Sequence, residues 1–248
     1  MIQFIEELSF NAWPTLQTMH YDGWILRFAE GYTRRANSVN PIYSSSLPVL
    51  EKIRYCEQLY AGQNLNSAFK MTDIAKPDNL DTILESEGYQ EEARTGVWLA
   101  SLRDQKFRDD DGAKIRSKLT DEWLTEHTKL VVPNPRHLAA RRPLLENIVP
   151  PTCYMSIEVN GETVAMGLAM LERGYMGIFD VVTSAGHRNR GYGTRLIAQL
   201  LAWGQANGAD HAYLQVMKDN APALRLYSKF GFKEIYQYWY RVKEHRPG

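Results

Sequence analysis

The sequence predicts an α/β protein built on a mixed, mostly antiparallel sheet flanked by helices. Three apolar-alternating runs, 153–159, 162–171 and 175–183, follow one another with only short turns between them, as antiparallel strands in series do. A Gly-containing loop then opens a stretch, 194–207, whose Leu196, Ile197, Leu200, Leu201 and Trp203 recur at helical spacing. Finally, a short apolar run at 212–216, a helix over 222–230 and strand material at 232–242 complete an alternation of strand and helix.

The elements before the three strands follow from local signals. Residues 114–118 alternate like a short strand, and Thr120 with Asp121 and Glu122 makes a capped helix start that carries negative charge at its positive end. This helix runs to about residue 130, where Val132-Pro133-Asn134-Pro135 breaks it. A second helix over 137–147 follows, marked by Leu138, Leu144 and Leu145 and closed by Pro150 and Pro151. Asn160-Gly161 is a strong two-residue hairpin signal because both positions tolerate positive φ, and Arg173-Gly174 is a weaker one. Gly208 suits a helix C-terminus, Pro222 a first helical turn, and Gly231 another helix end.

The first hundred residues repeat this order more faintly. A strand at 23–29, a helix at 47–62, a strand at 68–71 and a helix at 79–87 lead to Gly88-Tyr89 and a strand through 102. Asn79 to Gly88-Tyr89 parallels Asn220 to Gly231-Phe232, with spacing that differs by two residues, which suggests a duplication. The polar stretch 104–112, with its Asp109-Asp110-Asp111 run, reads as the linker, dividing the chain into 1–108 and 109–248.

Composition narrows the function classes. In 248 residues, Lys plus Arg and Asp plus Glu balance at 29 each, so there is no global field to gather nucleic acid or anionic lipid. No run approaches the length of a membrane span, and the acidic start at Glu6-Glu7 argues against a signal peptide, so a cytoplasmic protein is expected. Cys56 and Cys153 sit singly in apolar surroundings, and the six histidines lack two-ligand spacing, so no metal is expected.

The chemistry gathers at Arg188-Asn189-Arg190-Gly191-Tyr192-Gly193, between a strand and an amphipathic helix beginning at Thr194. Gly191 and Gly193 allow close approach of the backbone to a ligand, successive amides point inward, and the helix start adds its positive end. A pyrophosphate is the natural occupant, with charge added by Arg188 and Arg190. The same glycines also suit a plain strand-to-helix turn with solvated arginines. A dinucleotide fingerprint would need glycine where Leu196 stands, and a nucleoside-triphosphate loop would need Gly-Lys-Ser/Thr.

Arg188 to Gly193 resembles the hallmark of the GNAT superfamily of N-acetyltransferases: Arg or Gln, two residues, Gly, any residue, then Gly or Ala. The resemblance spans 114–242 and includes the late run from Asn220 to Phe232, with its Asn, Tyr and Gly-Phe landmarks. It implies that the strand ending at Thr183 splays from the one near 213–216 to admit the pantetheine arm of acetyl-CoA. Backbone groups of Val181, Val182 and Thr183 would then bond that arm, with Arg188 through Thr194, Asn220 and Tyr227 completing the cofactor contacts. It further implies direct attack of an amine on the thioester in a ternary complex, without a metal.

By the same resemblance Tyr227, four residues before Gly231, would protonate the departing sulfur. Asp180, the only carboxylate of its strand, would be the base; Glu158 and Glu172 are lesser candidates better suited to the solvated face of the hairpin. The expected acceptor is a small-molecule amine, with a protein lysine or amino terminus, or a non-catalytic CoA sensor, as alternatives, and a homodimer as a compatible assembly. The amino-terminal half resembles a degenerate GNAT-like domain. It has Leu84 at the tyrosine position and Tyr43-Ser44-Ser45-Ser46 where the glycine loop should be, so it should not bind cofactor. Its polar run 31–38 suits either an acceptor pocket or a solvated loop.

Overall fold

The computed structural model describes residues 1–107, 112–131 and 138–245. The elements are α1 (Ile2–Ala12), β1 (Gln17–Tyr21), β2 (Trp24–Phe28), β3 (Val39–Asn40), α2 (Val49–Ala61), β4 (Ser67–Met71), α3 (Leu80–Ser86), β5 (Gln90–Ser101) and β6 (Ala113–Arg116). They continue with α4 (Asp121–Leu130), α5 (Leu138–Glu146), β7 (Thr152–Val159), β8 (Glu162–Glu172), β9 (Tyr175–Thr183), α6 (Tyr192–Ala206), β10 (His211–Met217), α7 (Ala221–Ser228) and β11 (Lys233–Lys243). The Asp109-Asp110-Asp111 run, the break at 132–135, His137 and the proposed boundary at 108 and 109 lie outside the described residues.

The chain forms two compact units that do not follow it in simple succession. One comprises 1–95, 135–147 and 236–248, and the other 96–134 and 148–235. β5 therefore gives its first residues to one unit and its last to the other, and β11 does the same in reverse. No local periodicity encodes which neighbour a strand pairs with, so this division could not be read from the sequence.

In the first unit the strand order is β1-β2-β3-β4-β11, antiparallel except for β3 and β4, which run parallel at Val39↔Phe69. α2 and α3 bury Ile53, Tyr60 and Leu84 with Trp24, Leu26 and Phe69 of the strands. Each such large apolar side chain contributes about 1.5–3 kcal/mol by leaving water. α1 and β1 were not anticipated. α1 has no side-chain cap and buries Glu6 and Ser9 among Ile5, Leu8 and Ala12, which blurs its apolar stripe.

Asp22 and Gly23, at φ 43° and 80°, make the tight β1–β2 turn. The Asp22 carboxylate reaches the chain entering α2, accepting from the amides of Ser46 (3.0 Å) and Leu47 (2.9 Å), the Ser46 hydroxyl (2.9 Å) and Lys52 Nζ (3.0 Å). The Leu47 amide, then Ser46 and Lys52, hold this carboxyl well below its ordinary value of 3.8. A lowered carboxylate pKa stabilises the fold above the ordinary value, and that stability is lost as pH falls below it. Asp22→Asn is therefore expected to be less stable than wild type at neutral pH and to show a shallower loss on acidification. Parallel acid-unfolding curves would contradict this.

In the second unit the order is β5-β10-β9-β8-β7-β6. Asn160 and Gly161, at φ 52° and 81°, join β7 to β8 with Val159↔Glu162 closing the ladder. Arg173 and Gly174, at 52° and 76°, join β8 to β9 in the same way, although the sequence signal was weaker. α6 buries Leu196, Ile197, Leu200 and Leu201. It packs over Gly167 of β8, where a Cβ would stand in ordinary contact, 3.4 Å from Leu196 Cδ2 and 3.5 Å from Leu200 Cδ1. α6 begins at Tyr192, before the expected Thr194, because Gly191 takes the cap position.

Candidate active site

The site lies in the second unit, where β9 and β10 part. They pair in parallel from His211↔Tyr175 to Leu214↔Ile178 and no further, although the strands continue to Met217 and Thr183. On its other side β9 stays paired with β8 as far as Thr183↔Ala165, so its last residues run on past the end of the ladder with β10. Gly177 permits the packing just below the fork, because a Cβ there would meet the Tyr213 hydroxyl at 2.7 Å. Phe179 and Tyr213 meet edge to face with ring centroids 6.1 Å apart.

The parting coincides with a β-bulge. Met166 pairs with Val182 and Leu168 with Phe179, so β9 carries an extra residue there. Asp180 takes the left-handed conformation, φ 51°, which L-residues seldom adopt. The His127 imidazole Nε2 lies 2.8 Å from the Asp180 carbonyl and donates to it. His127 is 1% exposed, stacked on Trp123 with centroids 4.9 Å apart, and the Trp123 indole N–H donates to the Met155 carbonyl at 3.3 Å.

Beyond β9 the chain turns through 188–191. Asn189 and Gly191 both have positive φ, 61° and 85°, and Gly191 caps α6. The Arg195 amide bonds to the Gly191 carbonyl at 2.9 Å, while helix geometry leaves the amides of Tyr192, Gly193 and Thr194 without an intrahelical acceptor. Arg188, Asn189 and Arg190 are exposed, and Arg188 Nε approaches the Thr183 carbonyl at 3.4 Å. The Tyr192 ring meets His187 edge-on, with centroids 5.9 Å apart.

α7 closes against this loop. A Cβ on Gly193 would stand 3.4 Å from Thr183 Oγ1 and 3.5 Å from Leu226 Cδ2, so the end of β9, the start of α6 and α7 converge at one point. Asn220 caps α7, its Oδ1 accepting from the Ala223 amide at 3.2 Å. Tyr227 is 8% exposed, with its ring edge-to-face on Phe232, and burial pushes its hydroxyl up to about 12.

The expected site residues thus fall on three elements. Asp180 to Thr183 lie on β9 past its ladder with β10, 188–194 form the loop and first turn of α6, and Asn220 and Tyr227 belong to α7. Val181 turns inward, with its Cγ2 3.4 Å from where a Cβ on Gly167 would be. Glu158 and Glu172 pair with Lys114 at 2.7 Å and Arg173 at 3.2 Å, as side chains of a solvated hairpin face do. His127 was considered only as a metal ligand in the sequence; its one hint was Trp123 four residues earlier, on the same helical face. Among the described residues no helix is long and apolar enough to cross a membrane, and no group of three His, Cys, Asp or Glu side chains could hold a metal ion.

The entrance to α2 in the first unit is different. Where α6 offers open amides, the chain before α2 gives the amides of Ser46 and Leu47 to the Asp22 carboxylate. The run 31–38 is partly internal: Asn37 Oδ1 accepts from the Ala29 (2.7 Å) and Gly31 (3.0 Å) amides, and Gly31, Arg34 and Asn37 line a pocket of about 280 Å³.

Known proteins share this sequence family and fold. A family model described as "Probable histone acetyltransferase Rv0428c C-terminal" matches residues 1–241. A Bacillus subtilis (strain 168) protein described as "Uncharacterized N-acetyltransferase YobR" is 30% identical over 246 residues, covering 98% of both chains. Among solved structures, a GCN5-related N-acetyltransferase from Kribbella flavida superposes with a TM-score of 0.67 at 16% identity, covering 98% of this chain and 94% of its own. A tandem GNAT protein from the clavulanic acid biosynthesis pathway does so with a TM-score of 0.62 at 10% identity, covering 98% and 88%. The chain belongs to the family of that model and is a GNAT N-acetyltransferase.

Proposed function

We propose that this enzyme transfers an acetyl group from acetyl-CoA to a primary amine of a small molecule, by direct attack in a ternary complex. The observation that carries the reading is the meeting of two features at one end of β9. There β9 runs on past its ladder with β10, and the left-handed Gly191 opens the amides of α6.

These residues fit coenzyme A. Among the described residues no atom lies within 4 Å of a Cβ built on Gly191, so the approach to the Tyr192, Gly193 and Thr194 amides is open, and Arg188 and Arg190 flank it. The diphosphate would sit on this turn and the pantetheine arm along Val181 to Thr183 of β9. The bound cofactor supplies an acyl group activated as a thioester. The protein then has to place the amine against it, remove a proton from the amine and give one to the leaving sulfur. Tyr227 is the donor, since burial keeps its hydroxyl protonated. Asp180, at the bulge beside the fork, is the nearest carboxylate on the β9 wall and takes the amine's proton directly or through water.

The two glycines should respond differently to substitution. Gly191→Ala places a Cβ in open space but on a backbone at φ 85°, so its effect is conformational. About 1–2 kcal/mol of left-handed strain corresponds to roughly tenfold weaker acetyl-CoA binding if the turn relaxes. Gly193→Ala meets only ordinary contacts at 3.4 Å and 3.5 Å and should be milder. Calorimetric titration with acetyl-CoA checks the order, and equal affinities in wild type and Gly191→Ala would remove the cradle from the account.

A second reading, transfer to a protein lysine or amino terminus, is favoured by the matched family's description as a probable histone acetyltransferase. A panel of small primary amines set against histone-tail and amino-terminal peptides, scored by release of free thiol, separates the two. Turnover confined to peptides would reject the small-molecule acceptor.

A further inference from the structure

We propose that His127 is a positioning residue for the transfer reaction: by holding the Asp180 carbonyl it fixes the left-handed bulge that sets the course of Val181 to Thr183 along the fork. The inference rests on the acetyl-transfer reading above and extends it to a side chain outside the family-like motifs.

A non-glycine residue at φ 51° persists only where its surroundings enforce it. Asp180 lacks a glycine's freedom, and the partner given to its carbonyl is the His127 Nε2–H at 2.8 Å. That donor is itself immobilised. His127 is buried on α4, stacked on Trp123, and Trp123 is tied through its indole N–H to the Met155 carbonyl on β7. A rigid chain of contacts therefore runs from β7 through α4 to the point where β9 gains its extra residue. Past that point the strand's amides and carbonyls are displaced by one residue relative to a regular ladder. Without the bond the bulge loses the contact that ties it to α4 and could relax toward regular pairing with β8, turning the edge that should meet the cofactor. The bond needs only an N–H at Nε2, which the Nε2–H neutral tautomer and the imidazolium both carry, so His127 holds the strand without transferring a proton.

The test compares His127→Leu and His127→Gln with wild type, because the glutamine amide N–H can stand in for Nε2–H. Three quantities are measured: amide hydrogen exchange at 181–183 in the cofactor-free protein, calorimetric affinity for coenzyme A, and the pH profile of acetyl transfer. The leucine variant is expected to exchange faster at 181–183 and to lose about 10- to 100-fold in kcat through misplaced reacting groups, with a smaller loss of coenzyme A affinity because the 188–194 loop stands apart from the strand. The glutamine variant should recover both exchange and turnover with the wild-type pH profile. Wild-type exchange and turnover in the leucine variant would overturn the proposal. So would a glutamine variant that is well protected yet inactive, or one that has lost its acid limb, since His127 would then act chemically. If wild type itself neither binds acetyl-CoA nor acetylates any amine, the proposed function fails. The exchange rates then still decide whether His127 fixes the bulge, so the two failures are distinct.

Discussion

Tyr227→Phe is expected to lower kcat by about 100-fold, the scale of a lost general acid, while leaving acetyl-CoA affinity nearly unchanged. The substitution removes one oxygen and keeps the ring that packs edge-to-face on Phe232, so the site should stay assembled. Burial raises the hydroxyl from its ordinary 10 to about 12, which leaves the donor protonated at every pH where the enzyme would be assayed. The sign for stability follows. A raised tyrosine pKa contributes fully below pH 10 and is lost as pH climbs through the folded value. Wild type should therefore lose alkaline stability that the phenylalanine variant keeps, and its kcat should show no falling limb from Tyr227 below pH 10. Rapid-mixing kinetics with calorimetry test this, and an unchanged kcat would take Tyr227 out of the chemistry.

Lys70→Met is expected to cost about 3–5 kcal/mol, because it leaves a carboxylate buried without its cation. Lys70 Nζ meets Glu6 Oε2 at 2.5 Å, with the two side chains 4% and 0% exposed. Glu6 Oε1 also accepts from the Tyr236 hydroxyl at 2.8 Å, and the ammonium lies 4.1 Å from the Tyr238 ring centroid. Burial lowers the Lys70 pKa and Glu6 raises it again, so the cation depends on this partner to remain charged. The measurement is urea unfolding followed by tryptophan fluorescence, with a melting temperature lower by roughly 10 °C as the companion signal. The double variant Glu6→Leu with Lys70→Met should recover most of the loss, since an apolar pair of similar volume has no charge to desolvate. A double variant as unstable as the single one would show that shape, and not the unpaired charge, is the cause.

What could be foreseen from the sequence was whatever depends on neighbours along the chain. The Asn160-Gly161 turn, the capped start of α4 at Thr120 and the loop opening α6 are local devices, and each carries its own residue signature. The features that escaped are settled by distant partners. α1 buries a glutamate whose companion is sixty-four residues away, so its pattern looks mixed until Lys70 is placed beside it. The bulge at Asp180 has no glycine to announce it and depends on a histidine fifty-three residues earlier. The site showed the same split. The 188–194 loop was legible as a glycine-bearing turn opening α6, whereas the part of Asn220 visible here is to cap α7.

The exchange of strand ends between the units bears on how the molecule is made. The first unit contains β4, and the neighbour that β4 takes from Lys243↔Ser67 to Trp239↔Met71 is supplied by β11. During synthesis the early part of the chain must therefore wait, with the β4 edge unsatisfied, until nearly all the later residues have left the ribosome. Cutting the chain between its halves would deprive each fragment of a border strand. Fragments expressed separately should be recovered as folded protein only when mixed, each supplying the rib the other lacks.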